Sequence, residues 1–142
     1  MKIYIADSCF WFGLLDNRDA YYETANRIFN RLRTDSVFLI PDPTLYETLN
    51  TRMLRNKEGK PRAEKLILNL KTNPRQFRRI SDKAYIETAY QRTVCQNEKT
   101  SYSFVDNIIR VMLEDKTLPN DGLITFNVAD FADICCVPII YI

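Results

Sequence analysis

The chain has 142 residues and a formal net charge of +2, with 46% hydrophobic and 27% charged residues, the composition of a globular protein long enough to bury a core. It contains no histidine, which excludes Ser-His-Asp and Cys-His catalysis and histidine-based zinc sites. Its three glycines are too far apart to form a glycine-rich phosphate loop.

Four cysteines, at positions 9, 95, 135 and 136, lack the C-x-x-C spacing of zinc and redox sites. We expect them to be free thiols that are buried as small hydrophobic residues, which fits a reducing compartment. No secretory signal pattern opens the chain, and no apolar run approaches the ~20 residues of a membrane span. The sequence therefore predicts a cytoplasmic protein that does not associate with a membrane.

Hydrophobic periodicity predicts helices that alternate with short apolar strands. In the first half of the chain, the predicted elements are a strand at Lys2–Ala6, a helical turn at 9–15, a helix at 19–33, a strand at 37–40, a helix through Leu45, Leu49 and Met53, and a helix at 62–70. Asp42 or Thr44 can cap the helix that runs through Met53, and a polar break at 56–60 ends it.

The second half continues the same alternation. Its predicted elements are a strand at 77–80, a helix at 82–95, a helix that begins at Ser103, a strand at 123–126, a short helical segment at 128–134 and a strand at 137–142. Ser103 and Asp106 form the S-x-x-D pattern of a capping box. Because the strands are apolar throughout, we predict a single three-layer α/β domain over 1–142, with a central parallel sheet of four or five strands flanked by helices.

Basic residues are concentrated between positions 52 and 79. This stretch holds ten lysines and arginines but only two acids, so it carries +8 while the other 114 residues sum to −6. Such a segment is typical of a protein that binds a polyanion, although a solvated helix face would carry the same charges. Six of the ten are arginines, which suit phosphate groups: Arg52, Arg55, Arg62, Arg75, Arg78 and Arg79.

Acidic side chains occur where a parallel sheet binds ligands, beyond the carboxyl ends of its strands. Asp7 directly follows the first strand, Glu47 lies in the first turns of the helix after the second, and Asp106 lies in the first turn of its helix. Asn127 and Asp130 follow the strand at 123–126. Their oxygen atoms suit Mg²⁺ or Mn²⁺. Each acid alone also has a structural explanation, since acids often cap helices or point to water.

Four segments, IYIADS, PDPTLYETLN, SYSFVDNII and GLITFNVADF, resemble in order the motifs of PIN-domain nucleases, especially the small VapC-like toxins of toxin–antitoxin pairs. The resemblance implies a PIN-like fold and a metal-dependent endoribonuclease. Its catalytic acids would be Asp7, Glu47, Asp106 and Asp130, which with Asn127 would ligate Mg²⁺ or Mn²⁺. Many family members have an aspartate where this chain has Asn127, which offers an oxygen but no charge.

The same resemblance assigns supporting roles to Ser8, Ser103 and Thr125 beside the acids. It also implies an RNA substrate, cleavage that leaves 5′-phosphate and 3′-hydroxyl ends, a homodimer, and an antitoxin that blocks or completes the site with an arginine or lysine. We expect the six arginines of the 52–79 segment to hold the RNA backbone, which supplies affinity but little sequence specificity. This last expectation comes from charge alone.

Other functional classes fit less well. A phosphoacceptor receiver domain needs an acidic pair after the first strand, and a haloacid-dehalogenase-type phosphatase needs D-x-D there, whereas this chain has Asp7-Ser8-Cys9. A PIN-like module that binds RNA or protein without cutting stays open because of Asn127. An interaction module that binds no nucleic acid also stays open, and it predicts no salt-dependent binding of RNA.

Overall fold

The computed structural model describes residues 1–142 and contains a five-stranded parallel sheet in the order β3-β2-β1-β4-β5. Its strands are β1 (Lys2–Ala6), β2 (Ser36–Pro41), β3 (Phe77–Ile80), β4 (Gly122–Ile124) and β5 (Ile139–Ile140). The register pairs Ile3 with Val37 and Ile5 with Leu123, so β1 is the central strand. The predicted α/β class and parallel sheet are confirmed.

Helices connect the first four strands and cover both faces of the sheet. They are α1 (Ser8–Leu15), α2 (Tyr22–Leu32), α3 (Asp42–Thr48), α4 (Thr51–Arg55), α5 (Gly59–Thr72), α6 (Ile86–Cys95) and α7 (Phe104–Glu114). Single 3₁₀ turns lie at Glu98–Thr100 and Val128–Asp130. The capping box is confirmed, because the Ser103 hydroxyl accepts a hydrogen bond from the Asp106 N–H at 3.0 Å.

Several predicted boundaries were wrong for local reasons. The helix predicted to run through Met53 is split into α3 and α4, because the Asn50 side chain accepts the Met53 N–H and starts a new helix. The α2 helix begins at Tyr22, since Asp19 instead accepts the Tyr21 N–H in a turn. The predicted polar break at 56–60 is also shorter, because α5 already begins at Gly59.

The last two predicted elements are much shorter than expected. Only Val128–Asp130 of the helical segment at 128–134 forms a 3₁₀ turn, and only Ile139–Ile140 of the strand at 137–142 pairs with β4. β4 itself has three residues, so it offers little edge for longer pairing. The acidic residues that follow β4 therefore lie on an irregular segment.

Two apolar clusters form the core, one on each face of the sheet. Alternate residues of β1 and β2 divide between them: Ala6 and Phe38 face α1, α2 and α5, whereas Ile5 and Val37 face α6 and α7. Burial of both faces explains why these strands are apolar without alternation. It also leaves the ends of the strands as the places where polar groups can gather.

The cysteines only partly match their prediction. All four are free thiols, as expected. None is fully buried, however: Cys9 and Cys135 are half-buried, and Cys95 and Cys136 are exposed because they lie at the end of α6 and in the irregular segment before β5. Separately, none of the seven helices combines the length and hydrophobicity that crossing a membrane would require.

Phe38 offers a test of the core on the α1 side. Its side chain is fully buried. Its ring centroid lies 5.3–6.3 Å from those of Phe10, Trp11, Phe29 and Phe77. We expect Phe38→Ala to lower the free energy of unfolding by about 3–5 kcal/mol in chemical denaturation, because it leaves a cavity among these rings. Leu68→Ala, at a position 57% exposed on α5, should change it by less than about 0.5 kcal/mol, and similar losses for both variants would contradict this packing.

Candidate functional site

Asp7 lies at the carboxyl end of the central strand and is 2% exposed. It is the N-cap of α1, and its Oδ1 accepts the Ser8 N–H at 2.7 Å. Its Oδ2 accepts the Thr125 hydroxyl at 2.9 Å, so one carboxylate joins the segments that follow β1 and β4. Burial raises the pKa of Asp7, and the hydrogen bonds from Thr125 and Ser8 offset part of that effect.

Glu47 and Asp106 face the same region from two different helices. Partial burial raises the pKa of Glu47, and the negative charges of Asp7 and Asp106 raise it further. Partial burial likewise raises the pKa of Asp106, with further increases from the charges of Asp7 and Asp130. Hydrogen bonds from Ser8 to Glu47 and from Ser103 to Asp106 act in the opposite direction. The charges of Asp7 and Asp106 thus act on Glu47, and those of Asp7 and Asp130 act on Asp106.

Asp130 and Asn127, the two polar residues expected to supply ligands after β4, differ in their surroundings. Asp130 is half-buried at the end of a 3₁₀ turn, where its charge acts on Asp106. Asn127 is exposed, and its backbone N–H donates to the Thr125 hydroxyl at 3.1 Å. The Asp130 charge therefore acts on Asp106, and the Asn127 backbone contacts Thr125, whose hydroxyl donates to Asp7.

The donor set has the chemistry that a hard divalent cation needs. It consists of carboxylate oxygens that are partly removed from solvent. The charges of neighbouring acids raise the pKa of Glu47 and of Asp106, and a cation would relieve this repulsion. As the side chains stand, no three acidic or cysteine groups converge closely enough to chelate an ion. Both Glu47 and Asp106 are only half-buried.

The predicted RNA-binding arginines are spread over three elements. Arg79 lies on the edge strand β3, and its Nε donates to Asp42 Oδ1 at 2.9 Å. Arg78 donates to the Pro74 carbonyl at 2.7 Å. Arg52 lies 3.7 Å from Asp16, and Arg62 stacks over the Tyr22 ring at 5.1 Å. The remaining two, Arg55 and Arg75, are exposed.

No family model matches the sequence, and no curated protein matches it either. Several solved structures share its architecture. Mycobacterium tuberculosis VapC20, described as a sarcin–ricin loop cleaving toxin, has a TM-score of 0.69 and 21% identity, covering 92% of this chain and 94% of that chain. FitAcB from Neisseria gonorrhoeae has a TM-score of 0.61 and 15% identity, covering 97% and 96%. VapBC2 from Rickettsia felis, bound to a promoter DNA fragment, has a TM-score of 0.60 and 15% identity, covering 97% of both chains.

The chain has a PIN-like fold. At these identities the likeness shows the fold alone, and it extends over nearly the whole of each chain. The four segments that resemble PIN-domain motifs therefore lie within a matching architecture. This confirms the fold that the resemblance implied.

Sequence reasoning missed three residues beside the PIN-like acidic group. The Cys9 thiol lies 3.5 Å from Asp7 Oδ2 and accepts the Phe126 N–H at 3.2 Å. Tyr46 is 64% exposed next to Glu47, and Arg110 lies one helical turn after Asp106. Arg110 had a detectable signal, since it is a basic residue within the otherwise apolar run IIRVML.

The raised pKa of Glu47 predicts how the stability of the metal-free protein depends on pH. The folded state favours the protonated carboxyl, so its stabilising effect is complete below the ordinary pKa and is lost as pH rises through the raised value. In EDTA at pH 7, Glu47→Gln should therefore unfold at a higher temperature than the wild type, and the difference should shrink toward pH 4. Glu23→Gln removes an exposed acid from the first turn of α2 and should give no such increase. A Glu47→Gln protein that is less stable at every pH would contradict the prediction.

Proposed function

We propose that this protein is a metal-dependent endoribonuclease and the toxin of a toxin–antitoxin pair. The observation that carries the proposal is a carboxylate, Asp7, buried at the carboxyl end of the central strand of a PIN-like sheet, whose charge acts on both Glu47 and Asp106. The similar structure VapC20 is described as a toxin that cleaves the sarcin–ricin loop, which supports RNA as the substrate.

The acids would hold Mg²⁺ or Mn²⁺ through their carboxylate oxygens, with Asp130 supplying charge that Asn127 lacks. When bound, the ion supplies an activated water and stabilises charge on the scissile phosphate. The chain itself orients the donors: Thr125 and the Ser8 N–H fix both oxygens of Asp7. Ser103 holds Asp106 at the start of α7. The absence of histidine fits this role, because general-base chemistry is left to the carboxylate site.

The basic segment would hold the RNA backbone on either side of the cut. Arg78 and Arg79 lie on β3, which forms one edge of the sheet and is followed by no further strand on that side. Arg79 contacts Asp42 at the start of α3, the helix that carries Glu47, so it is close to the acidic group in the fold. Phosphate contacts from these arginines would supply affinity without reading sequence.

An antitoxin partner and a homodimer complete the proposal. Two of the similar structures are VapBC2 and FitAcB, and VapBC2 was solved bound to a promoter DNA fragment, which supports an antitoxin for this chain. A cationic side chain from that partner would neutralise the acidic group in place of a metal ion. The homodimer is proposed only on the resemblance of the sequence to VapC-like toxins.

A catalytically weak or inactive PIN-like module that binds RNA or protein is the second candidate. Two observations favour it: Asn127 brings no charge, and the acids do not converge on an ion as they stand. This module would bind RNA with a steep salt dependence but would not cut it.

Asp7→Asn separates the two candidates. It removes the charge at the centre of the acidic group while keeping the size of the side chain. We expect the wild type to cut mixed RNA only with Mg²⁺ or Mn²⁺, and the variant to lose at least about 100-fold in rate, a loss at the upper end of that seen when metal-site partners are altered. Expression of the wild type, but not of Asp7→Asn, should arrest growth.

The matched control is Asp35→Asn, whose side chain is 79% exposed at the start of β2. It should cut RNA at the wild-type rate. A wild type that binds RNA but never cuts it with either metal would favour the inactive module.

Arg79→Gln tests whether the arginines on the edge strand β3 bind the RNA backbone. Glutamine can keep a hydrogen bond to Asp42 while removing the charge, so we expect weaker binding of single-stranded RNA in EDTA. The slope of log affinity against log salt should fall by about 0.7, the value for one phosphate contact. Arg27→Gln, at an exposed position on α2, should leave both quantities unchanged. Equal effects of the two variants would show that the edge strand has no special role.

A further inference from the structure

We propose that Arg110 is a positioning residue that fixes the segment carrying Asp130 against the helix carrying Asp106, and thereby sets the affinity of the acidic site for a divalent cation. This inference rests on the proposed function, because it concerns how the same site is assembled. It assigns a role to the buried guanidinium of Arg110, which is not among the groups proposed to hold the metal ion.

The Arg110 guanidinium holds the segment after β4 at two points. Arg110 is 8% exposed and lies one turn after Asp106 on α7. Its Nη1 donates to the Asp130 backbone carbonyl at 2.6 Å and to Asp133 Oδ1 at 2.8 Å, and its Nη2 donates to Asp133 Oδ2 at 2.8 Å. A planar guanidinium can make all three bonds at once, which an ammonium group cannot do in this geometry.

The contact to Asp130 leaves its carboxylate free. Arg110 binds the backbone carbonyl of Asp130 and pairs its charge with Asp133 instead. The Asp130 charge therefore still acts on Asp106, raising the pKa of that acid. The bonds from Arg110 to the Asp130 backbone and to Asp133 therefore hold this segment against α7.

The segment has little other structure to hold it. Residues 126–138 contain one 3₁₀ turn, and a single turn of this kind is weakly stabilised by its own hydrogen bonds. Phe131 is buried and anchors the apolar side of the segment. Arg110 is the charged anchor, and it is itself fixed by the Tyr102 ring, whose centroid lies 4.0 Å from the guanidinium carbon just before the Ser103 cap.

The test measures Mn²⁺ binding by electron paramagnetic resonance, which needs no turnover. Arg110→Ala should weaken Mn²⁺ affinity by about 10- to 100-fold, the usual effect of losing a residue that orients metal ligands. A decrease in Mn²⁺ affinity would indicate a positioning role. If Arg110 acted only through its positive charge, removing it would strengthen Mn²⁺ binding. Arg110→Lys keeps the charge but not the planar fork, and should also bind more weakly than the wild type. Asp133→Asn loses the ion pair and should weaken binding less.

Arg92→Ala is the matched control. Arg92 forms a similar two-point pair with Glu114, between α6 and the end of α7, and touches none of the four acids. The Arg92→Ala variant should bind Mn²⁺ as tightly as the wild type, even if it lowers the free energy of unfolding. Amide hydrogen exchange in EDTA provides a second readout: exchange in residues 128–134 should be faster in Arg110→Ala and unchanged in Arg92→Ala.

The outcomes separate this inference from the proposed function. A folded Arg110→Ala protein that binds Mn²⁺ as tightly as the wild type, or more tightly, overturns the positioning role. If Arg110→Ala does not fold, Arg110→Lys decides by the same criterion, because it keeps the positive charge and removes only the planar fork. A wild type that binds no Mn²⁺ overturns the proposed function, and the exchange rates of residues 128–134 then decide whether Arg110 positions the segment.

Discussion

A carboxylate buried at the end of the central strand is the constraint around which the site is arranged. Asp7 is almost fully removed from solvent, and its two oxygens are held by the Ser8 N–H and the Thr125 hydroxyl. A buried ionised group is costly unless it is paired or hydrogen-bonded. The two hydrogen bonds provide part of that compensation, and the rest falls to whatever positive charge enters the site.

The other acids increase this unfavourable charge. Glu47 and Asp106 come from helices on different sides of Asp7, and each feels its charge and that of the other acids. Functional sites commonly hold groups with such perturbed pKa values, because chemistry requires charges that folding alone would avoid. Under the proposed function, a metal ion and a cationic side chain from an antitoxin would relieve the same repulsion, so both would use one set of acids.

Positive charge on the protein is placed so that it does not neutralise the acids. Arg110 pairs with Asp133 and binds only the backbone of Asp130, and Arg79 pairs with Asp42 rather than with Glu47. Within the basic segment, Arg52 likewise contacts Asp16 and not one of the four acids. The acidic group thereby stays available for a ligand. The Arg110–Asp133 and Arg79–Asp42 ion pairs instead hold the elements that carry the acids.

The sequence by itself determined the class of the fold and the identity of most candidate residues. Apolar strands without alternation indicated a parallel sheet that is covered on both faces. The acids that follow these strands indicated a site at the carboxyl end of the sheet, because parallel strands all end on the same side. Local capping side chains fix where helices begin. The cap at Ser103 was predicted from its S-x-x-D pattern, whereas the cap at Asn50, which starts α4, was missed.

Only the tertiary structure decided the contacts between distant segments. The bond from Thr125 to Asp7 spans 118 positions, and the pairing of Arg110 with Asp133 crosses from a helix to an irregular segment. The effect of the Asp130 charge on Asp106 likewise joins two elements that are far apart along the chain. Such contacts depend on how separate elements pack, whereas hydrophobic periodicity and capping patterns report only on residues a few positions apart along the chain.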